Sequence, residues 1–141
     1  MTAEAFNLLF TASREFQDVQ RAWARLDEVL ARHGVVHLMH GDYKRRDGKL
    51  ISDAIAAAWA ARRISEGAAV TVEPVPAPWD AHPALKRTAG LVRDGYMPGL
   101  LVGRGVRRVG CLAYIVGGSS GAGSTAAFAD HVGIPTQKIE F

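Results

Sequence analysis

Val109-Gly110-Cys111-Leu112-Ala113-Tyr114-Ile115-Val116 runs directly into Gly117-Gly118-Ser119-Ser120-Gly121-Ala122-Gly123-Ser124-Thr125, and the reading of this stretch decides the fold. The first half is a short apolar run of the kind that forms a strand buried on both faces. The second half is glycine, serine and threonine around a single alanine. Ala126 to Val132 then predicts one or two helical turns before Gly133. A strand, a glycine-rich turn and a helix start form a context in which bare backbone N–H groups face an anion. Glycine lets a phosphate approach the backbone and permits positive φ. The plainer reading is a flexible connection, since such turns are common punctuation. Gly118, Gly123, Ser124 and Thr125 also fit the spacing of a P-loop, but Ser124 stands where that loop requires Lys.

The 141 residues suffice for one domain with its own core. Apolar residues make up 48% and charged residues 22%, an ordinary globular balance. The single cysteine, Cys111, excludes an internal disulfide and reads as an inert thiol buried in a strand. Met1 to Ala5 lacks the basic and apolar regions of a signal peptide, and no apolar run approaches membrane-spanning length. The expectation is a soluble, cytoplasmic protein with no membrane partner. A net charge of +3 suits anion binding but makes a weak case for nucleic acid.

Working outward from the opening stretch, strands and helices alternate. Phe6 to Thr11 predicts the first strand, closed by Thr11-Ala12-Ser13-Arg14. Val19, Ala22, Trp23, Leu26, Val29 and Leu30 keep the spacing of an amphipathic helix that Gly34 ends. Val35 to His40 is the second strand. Gly41 to Ile51 is a polar loop whose Lys44, Arg45, Arg46 and Lys49 are either solvated or a flap over an anionic ligand. Ser52 is placed to cap a second helix, with Asp53 in its first turn, running through Ile55 and Trp59 to about Ser65. Ala69 to Val75 is the third strand, and Pro74, Pro76 and Pro78 end it. Pro83 suits the first position of a third helix. Its core-facing stripe is Leu85, Ala89, Val92 and Tyr96, up to Pro98. Thr136 to Glu140 is the last strand. Residues 1–141 read as a single domain.

This alternation implies parallel strands joined by right-handed crossovers. The predicted fold is a Rossmann-like three-layer α/β/α sandwich on a mainly parallel five-stranded sheet. Such sheets bind ligands beyond the carboxyl ends of their strands, where the strand order switches. With the first and fourth strands adjacent, Thr11 to Arg14 meets Gly117 to Thr125 at that crevice. His40, Gly41 and Trp79 end neighbouring strands and border it.

Several short pieces keep a common order and spacing. They are Thr11-Ala12-Ser13-Arg14, His40-Gly41, Ile51-Ser52-Asp53 with Ala57 and Trp59-Ala60, and Pro76-Ala77-Pro78-Trp79. Ala89-Gly90 with Arg93 and Met97, Gly117-Gly118 with Ser124-Thr125, and Gly133-Ile134-Pro135 continue the series. Together they resemble the small Rossmann-like domains of the SLOG superfamily, in the branch related to the bacterial proteins YspA and YpsA. The resemblance covers about residues 7 to 141. It implies binding of a nucleotide or nucleotide derivative at the carboxyl edge of the sheet. The chain departs from the family's usual pieces at several points. Ala12 replaces Gly, Ile51-Ser52 replaces Gly-Ala, and Pro78 replaces Asp. Asp94 follows Arg93 where Asn is usual, and Ser124 takes the last Gly before Thr125.

Relatives of the LOG type cleave the N-glycosidic bond of nucleoside 5′-monophosphates. They pair an Arg with a Glu shortly after the Gly-Thr of the phosphate turn. Arg93 matches the Arg, but Ala126, Ala127 and Phe128 follow Thr125 and the Glu is missing. Asp53 or Asp130 would have to supply the carboxylate that offsets charge developing on the ribose.

The candidate ligand-binding residues are Ser13, Arg14, His40, Gly41, Asp53, Trp79, Arg93, Gly117, Gly118, Ser119, Ser120, Gly121, Gly123, Ser124 and Thr125. Ser13 and Arg14 would contact phosphate, Arg93 would grip it bidentately, and Trp79 would stack on a base. The competing readings are a plain turn, a surface ion pair and wall packing, with His40 as a structural histidine. No residue is assigned as catalytic. Ser119 and Ser120 lack the His–Asp arrangement of a triad. His40, Asp42 and Asp53 lack a recognised ligand spacing, so no metal ligand is assigned. No cofactor is required beyond a nucleotide ligand, with a divalent metal left open. The leading expectation is a nucleotide-binding sensor or processing module. Its rivals are a LOG-like nucleotide hydrolase and a nucleic-acid binder like DprA, which shares the superfamily. Against the latter stands the lack of a dense basic stripe. A homo-oligomer is left open.

Overall fold

The computed structural model describes residues 4–43, 45–77, 88–117 and 120–141. The elements in order are β1 (Phe6–Ala12), α1 (Val19–His33), β2 (Val36–His40), α2 (Asp53–Ser65) and β3 (Val70–Pro74). They continue with α3 (Thr88–Gly103), β4 (Val109–Ile115), α4 (Ser120–His131) and β5 (Thr136–Glu140). The sheet order is β3-β2-β1-β4-β5, and every pairing is parallel. The first and fourth strands are neighbours as expected, with Leu9 opposite Cys111 and Thr11 opposite Ala113. The chain leaves β1 on one side through β2 and β3, then returns on the other through β4 and β5. The switch point of the sheet therefore lies between β1 and β4.

Alternate residues of the central strands serve two cores. Leu8, Phe10, Leu112 and Tyr114 pack with Leu26 of α1 and with Ile55 and Trp59 of α2. Leu9, Met39 and Cys111 pack with Met97 and Leu101 of α3 and with Ala129 of α4. This is the three-layer arrangement that the alternation implies. The Cys111 thiol is buried and pushed up to about 12 by desolvation, which makes it inert at neutral pH. Helix ends follow local chemistry. Asp18 caps α1 by accepting from the Arg21 N–H at 3.2 Å, and Gly34 ends it at φ +79°.

Three local expectations are corrected. Pro98 does not stop α3, which continues to Gly103. Val92 and Tyr96 do not face the core: they are exposed, while Asp94, Met97 and Leu101 turn inward. The rest of that expected stripe gives no comparison, since Pro83 and Leu85 lie outside the described residues and the side chain of Ala89 is not described. The third correction concerns α4, which begins at Ser120. Gly121, Gly123, Ser124 and Thr125 are therefore helical and not part of a turn. Glycine disfavours a helix, but Ala122 and Ala126 pack flat on Ala113 and Ile115 of β4, and that close packing decides the conformation.

Candidate functional site

The loops that leave β1, β2 and β4, together with the starts of α2, α3 and α4, gather at the carboxyl edge. Ser13 follows β1 and is buried. Its N–H donates to the Tyr114 carbonyl at 2.9 Å, and its Oγ accepts from the Val116 N–H at 2.8 Å. Ser13 thus continues the β1–β4 pairing past the last ladder residues and fixes the mouth of the crevice. Arg14 beside it is exposed, with its guanidinium 5.0 Å from the centre of the Tyr43 ring.

Ser52 behaves differently from the sequence expectation. It occupies the cap position of α2 at φ +54°, yet its hydroxyl makes no capping bond. The hydroxyl donates instead to the Ala12 carbonyl at 2.6 Å, and its N–H donates to the Phe16 carbonyl at 3.0 Å. This ties the start of α2 to the end of β1. A buried non-glycine residue held at positive φ marks a place where the surroundings dictate the backbone.

Asp53, the first residue of α2, is buried beneath the β2 loop. Its Oδ2 accepts from the Tyr43 N–H at 3.2 Å. Burial pushes its carboxyl up to about 7, outweighing the pull of Arg93 and the Tyr43 N–H, with Asp94 and Asp42 adding to the rise. Arg93 donates from Nη1 to the Gly41 carbonyl and from Nε to Asp94 Oδ1 at 3.3 Å. Asp94 is also buried, and desolvation raises its carboxyl. The Thr125 hydroxyl donates to the Gly121 carbonyl at 3.3 Å, and its proximity to Asp94 opposes part of that rise. Two buried carboxylates therefore flank one guanidinium.

Gly41 is the residue that lets this cluster close. A Cβ there would stand 2.8 Å from Asp53 Oδ2 and 2.9 Å from Arg93 Nη1. His40, the last residue of β2, is buried, and its Nδ1 accepts from the Asp42 N–H at 3.0 Å. That bond assigns the proton of the neutral ring to Nε2.

The structure thus brings together Ser13, His40, Gly41, Asp53, Arg93 and Thr125, with Arg14 at the rim. Gly117 adopts φ +58° and its N–H donates to the Phe141 carbonyl at 3.4 Å. Ser120 opens α4, Gly121 lies exposed in its first turn, and Gly123 and Ser124 are half-buried. Gly118, Ser119 and Trp79 lie outside the described residues. Asp130 does not join the site: it is exposed, ten residues past Ser120, or about 15 Å along the helix. Sequence reasoning missed Tyr43, Asp94 and the hydroxyl of Ser52 as parts of the site. For Asp94 a signal existed, because Arg93 and Asp94 are the charged residues of the otherwise neutral stretch from Thr88 to Gly103.

The described part of the basic loop is solvated. Arg45 pairs with Asp47 at 2.6 Å, and residues 45–50 are exposed. Among the described residues, no group of three His, Cys, Asp or Glu side chains could hold a metal ion. Among them, too, no helix is long and apolar enough to cross a membrane. A groove of about 440 Å³ lies at the opposite, amino edge, between α1 and the starts of β4 and β5, and none of the nominated residues lines it.

A profile of the YspA, cpYpsA-related SLOG family matches residues 6–82. Comparison with curated proteins and with solved structures found no match. The matched stretch begins with β1 and ends beyond β3, so it contains Ser13, Arg14, His40, Gly41 and Asp53. Arg93 and α4 complete the crevice from outside it. With more than half of its residues matched, the chain belongs to the YspA, cpYpsA-related SLOG family.

Proposed function

We propose that this chain binds a nucleotide or nucleotide derivative at the β1–β4 switch point, as a sensor or processing module. Family membership supports a nucleotide-related ligand at that coarse level. The observation that carries the reading is the convergence of Ser13, Gly41, Asp53, Arg93 and the start of α4 at one sheet edge. The first N–H groups of α4 have no carbonyl partners within their own helix, and the helix dipole adds positive potential there. A phosphate is the ligand group suited to that end. Arg93 acts as the anchor of the β2 loop, since its guanidinium is already engaged by Gly41 and Asp94. It therefore orients the site and is not a free phosphate clamp.

Calorimetric titration with matched nucleosides and nucleoside monophosphates tests the reading. Gly121→Asp places a negative charge in the first turn of α4, where an added Cβ meets nothing within 4 Å. It should weaken nucleotide binding about tenfold or more while sparing the fold. Equal binding of nucleotides by the wild type and Gly121→Asp would remove the phosphate from α4.

A second reading, hydrolysis of the nucleotide, draws on Asp53. A carboxyl that titrates near 7 can hold or release a proton at neutral pH. Base release abolished in Asp53→Asn would support it; turnover unchanged in that variant would remove Asp53 from the chemistry.

A further inference from the structure

We propose that the groove at the amino edge of the sheet is a ligand site of its own, distinct from the β1–β4 crevice, and that it takes a planar aromatic carboxylate. The groove lies between α1 and the starts of β4 and β5 and holds about 440 Å³. That volume is in the range of small-molecule sites. At roughly 30 Å³ each, it is the space of on the order of fifteen waters. Leu8, Val29, Val109 and Leu112 give it an apolar lining. Phe6 and His33 line it as a stacked pair, with ring centroids 3.9 Å apart and planes 9° from parallel. Gly110 makes room for that pair, since a Cβ there would stand 2.9 Å from Cζ of Phe6. An apolar lining that contains a stacked ring pair suits a further flat ring.

Charge then narrows the choice among apolar ligands. The charged side chains of the lining are Arg25 and Arg32, and among the described residues no acid lines the groove. Arg25 is already engaged, donating to Gln137 Oε1 at 3.0 Å and to Glu28 at 3.1 Å. Arg32 is exposed and makes no ion pair or side-chain hydrogen bond among the described residues. His33 adds a donor. Arg108 Nη2 lies 3.0 Å from its Nδ1, and a guanidinium only donates. Nδ1 therefore accepts, and the neutral ring carries its proton on Nε2. Desolvation and the nearby Arg108 and Arg32 hold the ring below its ordinary value, which keeps it neutral at pH 7. An uncharged ligand leaves Arg32 unanswered. One free guanidinium balances one charge, and its planar fork matches a carboxylate. A phosphate dianion would leave its second charge uncompensated against the apolar lining.

Nuclear magnetic resonance titration of the full chain with 2-naphthoate tests the proposal. A Kd of about 1 mM or lower is expected for a ligand of this size. The amides of Phe6, Gly110 and Gln137 should shift, while those of Gly41 and Tyr43 at the carboxyl edge should not. 2-Naphthamide keeps the ring and loses the charge; decalin-2-carboxylate keeps the charge and loses the planarity. Each should bind about tenfold more weakly. Arg32→Ala, at an exposed side chain whose loss spares the fold, should weaken 2-naphthoate about tenfold and leave 2-naphthamide unchanged. Arg62→Ala, at an exposed arginine of α2, should change neither. No binding up to about 10 mM overturns the proposal, as do shifts confined to the carboxyl edge. An analogue that binds as tightly as 2-naphthoate, or undiminished affinity in Arg32→Ala, also overturns it. Tighter binding of 2-naphthyl phosphate overturns the choice of a carboxylate.

Discussion

Arg93 on α3 donates to the carbonyl of Gly41, the residue that follows β2, so helix and loop are tied across the mouth of the sheet. The same guanidinium faces Asp53 and Asp94, both buried. Arg93→Ala removes the shared countercharge from two carboxyls. It should destabilise the fold by about 2–4 kcal/mol, because breaking one side of a buried ion cluster leaves the other side uncompensated. The loss should be larger at pH 8 than at pH 5, where protonation relieves the carboxyls. Urea titration at both pH values checks this, and an equal loss at both would separate Arg93 from the two acids.

Asp53 makes the stability of the protein depend on pH in a stated direction. Its folded carboxyl titrates near 7, against an ordinary value of 3.8. Below about pH 4 it is protonated in both states, and its burial carries no charge penalty. As pH rises from about 4 to about 7, the unfolded chain gives up this proton while the folded chain keeps it. Stability therefore falls across that window and levels off above it. Asp94 shifts the same way, and Arg93 and the Tyr43 N–H oppose the Asp53 shift. Asp53→Asn should flatten the profile and recover roughly 2–4 kcal/mol of relative stability at pH 8. A profile of unchanged slope would place the titration on another group.

The strands were legible because a parallel strand buried on both faces must be apolar throughout. Val109 to Ile115 lies where its composition puts it, whereas the polar edge strand Thr136 to Glu140 was placed by the Gly133-Ile134-Pro135 that leads into it. α3 was not legible in phase. Its charged pair, Arg93 and Asp94, turns inward while apolar side chains face out, the reverse of the usual pattern, so Val92 and Tyr96 read as core although they face outward. The start of α4 was hidden by glycine, whose low helix propensity is overridden only by the packing of Ala122 and Ala126 on β4. In the site, Ser13, Gly41 and Asp53 were legible as parts of local motifs. The bond from Ser52 to Ala12 and the place of Asp94 depend on contacts between elements far apart in the chain, and no local pattern encodes them.

Gly41→Ala probes the same cluster from the backbone side. The new methyl must displace Asp53 or Arg93, each of which is held by partners of its own. The expected cost is about 1–3 kcal/mol, the usual range for overpacking. The double variant Gly41→Ala with Arg93→Ala should lose less than the sum of the two single losses, because removing Arg93 opens the space. Thermal melts of the four proteins give the coupling directly, and strict additivity would mean that the methyl is accommodated elsewhere.

Ser13→Ala removes the acceptor of the Val116 N–H and changes side-chain volume little, so that hydrogen bond is lost with small change in packing. The expected destabilisation is about 1–2 kcal/mol. Slow exchange of the Val116 amide should also disappear, and an unaltered amide would show that the crevice mouth closes without Ser13.

Tyr114 presents the opposite case. Its ring stacks on Phe16 at 4.4 Å between centroids and its side chain is fully buried. Its hydroxyl, among the described residues, is the buried side-chain oxygen or nitrogen with no hydrogen-bond partner. Desolvation raises the phenol accordingly. Tyr114→Phe keeps the ring and its stacking and deletes only the oxygen. Removing an unpaired buried polar group relieves its desolvation cost, so the variant should be as stable as the wild type or more stable by about 1 kcal/mol. Equilibrium urea denaturation decides this. A loss greater than about 1 kcal/mol would show that the hydroxyl is hydrogen-bonded in the folded protein, since only a satisfied group makes a net contribution of that sign.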